Sequence, residues 1–157
     1  MQNTIEQLML CSGKYINWQP HTENYTLLVS GDYNVLPEYK TVCGVYMCSG
    51  LYESSKVNLP IYIGSAFDLH KRISYKHINC LNKGIHDHCK VLQASWARRG
   101  EDQYVWWLLE SSDSDSVRSL EQKYLNYYKP FIDTGGGYNF HEKVEKFNLT
   151  LSCFENL

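Results

Sequence analysis

The sequence predicts an α+β fold: a small, mostly antiparallel central sheet of about three strands flanked by helices, with an N-terminal extension ahead of it. Two observations carry this expectation. Strand-length runs of β-branched and aromatic residues and capped helical segments follow in the order strand, strand, helix, helix, strand, helix, which calls for a small sheet with helices packed on it. The chain's 157 residues, 43% hydrophobic and 20% charged, suffice for one folded core and leave little room for a second.

Residues 1–40 read as the extension, with a short amphipathic turn around Ile5, Leu8 and Met9 and a strand at 25–29 between turn-rich stretches. Residues 42–48 and 61–64 are β-branched and aromatic, and a polar loop ending at Pro60 separates them as neighbouring strands. Ser65 or Asp68 caps a helix running to about His77. A second helix has Asp87 in its first turn, Ile85, Cys89, Leu92 and Trp96 as its apolar stripe, and Gly100 as its stop. Residues 104–109 form a continuous apolar strand, after which Asp115 or Ser116 opens a last helix that ends before Pro130. The expected domain boundaries are 1–40, 41–141 and a C-terminal tail at 142–157.

Several classes are excluded. The longest apolar stretches fall far short of the roughly 20 residues of a membrane-spanning helix, and the N-terminus lacks a basic region before an apolar run, so neither a membrane protein nor a secreted one is expected. The six cysteines, at 11, 43, 48, 80, 89 and 153, show no C-x-x-C pair and are expected to stay reduced. The sequons at Asn24 and Asn148 are then coincidental. His86, His88 and Cys89 do not have zinc-finger spacing, and no second ligand pair follows.

Charge is segregated along the chain. The net formal charge is −2, which argues against gripping nucleic acid with the whole surface. Yet residues 70–99 hold Lys71, Arg72, Lys76, Lys83, Lys90, Arg98 and Arg99 against the single acid Asp87, together with His70, His77, His86 and His88. A polyanion would find one favourable face there and repulsion elsewhere, although two solvated helix faces would show the same pattern.

A few residues break local rules. Glu121 falls inside the apolar stripe Val117, Tyr124, Leu125 and Tyr128 of the last helix, so it must be salt-bridged, protonated or metal-bound. Arg72 lies on the shoulder of its own helix's apolar face. His86 stands where the second helix is expected to begin, and the positive end of that helix would favour a neutral imidazole. The glycines at 135–137, before Tyr138 and Asn139, let the backbone pass close to something.

Gly44-Val45-Tyr46 on one strand, Tyr62-Ile63-Gly64 on the next, Ser65-Ala66-Phe67-Asp68-Leu69 leading to Arg72, then His86, Glu121 and Tyr138-Asn139 together resemble the GIY-YIG nuclease family over about residues 42–140. The segment from Tyr62 to Arg72, with Lys83-Gly84 before His86, looks most like the catalytic domains of phage intron-encoded homing endonucleases. Three departures stand out. Val45 replaces the usual isoleucine, which leaves Tyr46 on the same face, and the loop 47–61 is longer than the family's usual turn. His77 lies five residues past Arg72, where a related histidine is expected at four, so it is given no catalytic role and is grouped with the DNA-facing residues.

The resemblance implies hydrolysis of a DNA phosphodiester by in-line attack of water, with one divalent ion, Mg²⁺ with Mn²⁺ able to substitute, held by Glu121. Tyr46 would be the general base. Its ordinary pKa of about 10 requires help from the metal, Arg72 or a relay. Arg72 would stabilise charge on the pentavalent phosphate, Tyr62 and His86 would position water or phosphate, and Asn139 would hold the frame or the scissile phosphate. Lys71, Lys76, His77, Lys83, Lys90, Arg98 and Arg99 would meet the backbone of double-stranded DNA.

Only 17 residues follow Phe140, too few for an appended DNA-reading module. Selectivity would then come from the nuclease domain, from residues 1–40, from a homodimer or transient dimer on DNA, or from a partner. This layout is closest to stand-alone phage endonucleases, and restriction-type or repair relatives also fit it. The expected location is the cytoplasm, that of the host cell for a phage protein. Two other readings remain open at this point: a DNA-binding module without activity, and a structural protein whose tyrosine-rich strands only pack a core.

Overall fold

The computed structural model describes residues 25–50, 61–87, 89–130 and 138–139. The turn around Ile5, Leu8 and Met9, the loop residues 51–60, His88, the glycines 135–137, Cys11, Cys153, the sequons and the tail 142–157 lie outside the described residues.

Four strands form one antiparallel sheet: β1 (Thr26–Leu27), β2 (Gly44–Gly50), β3 (Ile61–Ala66) and β4 (Tyr104–Ser111), in the order β1-β4-β2-β3. The expected three strands are thus joined by Thr26–Leu27, from the stretch read as an extension, which pairs with Leu108 and Trp107. β2 lies inside the sheet and is buried along its whole length, so its pattern is a continuous apolar run instead of an alternation.

The side chains still alternate between two cores. Val45, Met47, Ile61, Ile63, Val105, Trp107 and Leu109 face one side and pack against Val117, Tyr124 and Leu125 of α3 (Val117–Tyr128). Tyr46, Cys48, Tyr62, Ala66, Tyr104 and Trp106 face the other side, where α1 (residues 69–83) and α2 (Lys90–Arg99) cover them.

α1 spans residues 69–83 and changes pitch along its length: α-helical at Leu69–Lys71, π-helical at Arg72–Ile78, and α-helical again at Asn79–Lys83. Asp68 caps it by accepting from the Lys71 N–H at 3.0 Å. Gly84 ends it at φ +74, a left-handed conformation that glycine adopts without a Cβ clash.

α2 (Lys90–Arg99) stops at Gly100, as its sequence predicts, but it begins later than expected. Ile85 is 62% exposed and Asp87 precedes the helix, so the buried stripe is Leu92, Ser95 and Trp96. Residues 84–87 and Cys89 are not helical because Gly84 has already turned the chain. Among the described residues, no helix is long and apolar enough to cross a membrane.

Candidate active site

β3 is an edge strand, and two consecutive residues on it carry the two halves of the site. Gly64 faces the α1 side and lies across from Tyr46 in the β2–β3 ladder. A Cβ on Gly64 would stand 2.5 Å from the Tyr46 hydroxyl oxygen and 2.7 Å from Cζ, so the phenol occupies the space that only glycine leaves. Ser65 faces α3 and donates its hydroxyl proton to Glu121 Oε1.

Tyr46 has no exposed surface. Its hydroxyl oxygen accepts from Arg72 Nε at 3.3 Å and lies 2.5 Å from His77 Nε2. His77 Nδ1 is 2.8 Å from His86 Nε2, and the two imidazoles stack at 5.0 Å. At the far end, His86 Nδ1 faces the Cys89 backbone, 3.3 Å from its N–H and 3.4 Å from its carbonyl. Each link holds one proton, so the column has two directions. With a neutral phenol, protons point outward and His86 donates to the Cys89 carbonyl. With a phenolate, they point inward and the Cys89 N–H donates to His86. The two directions differ by one proton.

His77 is therefore a correction to the sequence reading. It is 0% exposed and unavailable to a DNA backbone. In an α-helix of about 100° per residue, the fifth residue after Arg72 would point roughly 140° away. The π-helical turn, with hydrogen bonds closing over five residues, brings it back beside Arg72. The one-residue offset from the family spacing is absorbed by the helix pitch, and Ile73 and Ile78, both buried and also five apart, follow the same period.

Deleting Tyr75, which is 59% exposed within this turn, is expected to restore ordinary α pitch without lowering the melting temperature. Deleting exposed Ala94 in α2 would rotate Ser95 and Trp96 out of the core, with a loss of about 3 kcal/mol or more. Thermal unfolding of both variants checks the contrast.

Electrostatics tune the groups. Burial works against the Arg72 charge, but the Tyr46 and Tyr62 oxygens outweigh it and hold the guanidinium charged. Burial pushes the Tyr46 phenol above its ordinary pKa, and Arg72 pulls it back. Tyr62 is raised well above its ordinary value, chiefly by burial. His86 is held neutral by burial, which lowers its pKa. Its neutrality thus has a different cause from the helix end expected, since α2 starts four residues later.

Glu121 is buried in the α3 stripe at 9% exposure, and desolvation raises its pKa while Ser65, Arg118 and Arg72 act to lower it. Arg118 Nη1 donates to Ser65 Oγ at 2.7 Å and reaches Glu121 Oε1 at 3.4 Å. Oε1 thus takes both bonds, and Oε2 takes none from the described residues.

Asn139 is bound to the outer edge of β3. It accepts from the Ile63 N–H at 2.9 Å and donates to the Ile63 carbonyl at 2.8 Å. Both ends of its amide are engaged there, which suits framing the strand. Lys71, Lys76, Lys83, Lys90, Arg98 and Arg99 are all exposed, on or directly next to α1 and α2.

The structure thus brings together Tyr46, Tyr62, Arg72, His86 and Glu121, frames them with Asn139, and adds His77, which sequence reasoning placed on the DNA-facing surface, and Gly64, Ser65 and Arg118, to which it gave no catalytic role. The five-residue spacing of Ile73 and Ile78 was a signal for His77. No comparable local signal marks the pairing of Arg118 with Ser65.

Gly64→Ala is expected to cost about 1–3 kcal/mol through overpacking. By displacing the phenol it should also lower the rate of the reaction roughly 100-fold. Chemical denaturation and a cleavage assay measure the two effects separately.

Among the described residues no cluster of three or more His, Cys, Asp or Glu side chains forms a cage. Glu121 Oε2 is a single hard-oxygen donor, which fits a cation such as Mg²⁺ that keeps most of its waters and takes further ligands from a substrate phosphate.

The sequence model of the GIY-YIG catalytic domain matches residues 43–139. Neither a curated protein nor a solved structure matches the chain.

Proposed function

The chain belongs to the GIY-YIG family and is a DNA endonuclease, a phosphodiester hydrolase; from that premise we propose that it cuts double-stranded DNA with one Mg²⁺, with Tyr46 as general base and Glu121 as the metal ligand. The observation that carries this reading is the Tyr46–His77–His86 column with Arg72 on the same phenol oxygen. It supplies what a tyrosine base lacks near neutral pH, a cation that favours the phenolate and a neutral acceptor for the proton.

Glu121 Oε2 would hold the metal, which would polarise a phosphate oxygen and lower the pKa of a bound water. Tyr46 would take the proton from the attacking water as its own passes to His77 Nε2 and the His77 Nδ1 proton passes to His86 Nε2, leaving His86 a transient imidazolium that burial disposes to give its proton up again. Arg72, whose guanidinium reaches both phenols, would present its remaining face to the phosphate as charge builds up. Because Tyr46 is fully buried, DNA binding must open the cover over its hydroxyl before water reaches it.

Asn139 would keep β3 in register, and the exposed lysines and arginines of α1 and α2 would meet the DNA backbone, making binding salt-sensitive. The nuclease domain would span 41–141. A phage or mobile-element origin accords with the Tyr62–Arg72 segment. Incubating supercoiled plasmid with the protein in Mg²⁺ or in chelator tests the proposal. Nicked or linear product only with Mg²⁺ is expected, and intact plasmid, linear and branched DNA under both Mg²⁺ and Mn²⁺ would overturn it.

A further inference from the structure

We propose that Ser65 and Arg118 are positioning residues that clamp Oε1 of Glu121 and so present Oε2 to the divalent cation. The inference rests on Glu121 being the metal ligand. Ser65, 4% exposed at the end of the Tyr62-Ile63-Gly64 strand, uses both faces of its hydroxyl at once. It donates to Glu121 Oε1 and accepts from Arg118 Nη1 at 2.7 Å. Arg118 closes the triangle at 3.4 Å from Oε1, and its guanidinium carbon lies over the Phe67 ring, 5.5 Å from its centre.

Local energetics oppose a cation at this place. Arg118 is the second residue of α3, where the positive end of the helix is unfavourable, and Arg72 adds like-charge repulsion. The side chain is also only 24% exposed. What offsets these costs is the carboxylate one turn on. A carboxylate left to rotate could offer either oxygen or bridge with both. With Oε1 engaged by two donors, Oε2 is left for a ligand. Groups that orient a metal ligand in this way typically change metal affinity about 10–100-fold when removed.

The test uses the full chain with duplex DNA. It reads Mn²⁺ binding from the loss of the free-ion electron paramagnetic resonance signal, alongside the Mg²⁺ concentration that half-saturates plasmid cleavage. Ser65→Ala and Arg118→Gln should each weaken Mn²⁺ binding about 10-fold and raise the half-saturating Mg²⁺ by a similar factor. Ser65→Thr, which keeps the hydroxyl, should restore both. If Ser65→Ala does not fold, Arg118→Lys, which keeps the charge but not the planar fork, should still weaken Mn²⁺ binding. Unchanged Mn²⁺ affinity with a lowered melting temperature would overturn the clamp and leave only a packing role. Glu121→Gln separates the two readings, because undiminished Mn²⁺ binding in that variant means the metal assignment itself has failed.

Discussion

Tyr46→Phe should lower Mg²⁺-dependent plasmid cleavage by about 10²–10⁴-fold while the protein stays folded. The substitution removes one oxygen from a ring that is otherwise fully packed against Tyr62, His77 and Trp106. The core volume hardly changes. It leaves His77 Nε2 and Arg72 Nε without their shared oxygen, for a stability cost of about 1–3 kcal/mol. A purely structural tyrosine would show the stability loss alone. His77→Phe is the companion variant. It keeps Tyr46 but cuts the column, so it should also slow cleavage, with the deficit shrinking as pH rises toward the range where a phenol ionises unaided. A pH–rate profile of both variants gives the answer. Full activity in His77→Phe at neutral pH would mean that the column has no part in proton transfer.

Glu121→Gln should abolish Mg²⁺-dependent cleavage, by about 10³-fold or more, with little change in fold. The amide has the same shape and keeps an oxygen for the Ser65 hydroxyl and Arg118. It loses the negative charge that a hard cation requires. Because burial raises the carboxyl pKa and disfavours its charge, removing that charge should not destabilise the protein in proportion to the activity lost. Circular dichroism and thermal unfolding beside the cleavage assay measure both. An active Glu121→Gln enzyme would remove the metal from this position.

Much of the fold was legible along the chain. Residues 42–48 and 61–64 announce β2 and β3 by β-branching, Asp68 announces the cap of α1, and Gly100 the end of α2, because each depends on neighbours only a few residues away. Glu121 stood out for the same reason, as a charge inside a stripe of period 3.6. β1 was visible as a strand at 25–29 but not as a member of this sheet, since a two-residue strand takes its place only by pairing with β4. The start of α2 was misplaced because Ile85 matches the stripe in spacing while Gly84 turns the chain so that it faces solvent.

By itself, then, the sequence determined the order of the elements, the basic stretch, and the tyrosine, arginine and glutamate that identify the family. These follow from local periodicity, capping and charge. Only the tertiary structure decided which atoms meet. His77 joins Tyr46 because the helix changes pitch. Ser65 and Arg118, 53 residues apart, meet at Glu121, and Asn139 meets Ile63 across 76 residues. Such pairings depend on strand register and on how helices lie across the sheet, and no local pattern encodes the distance between two side chains so far apart in the chain.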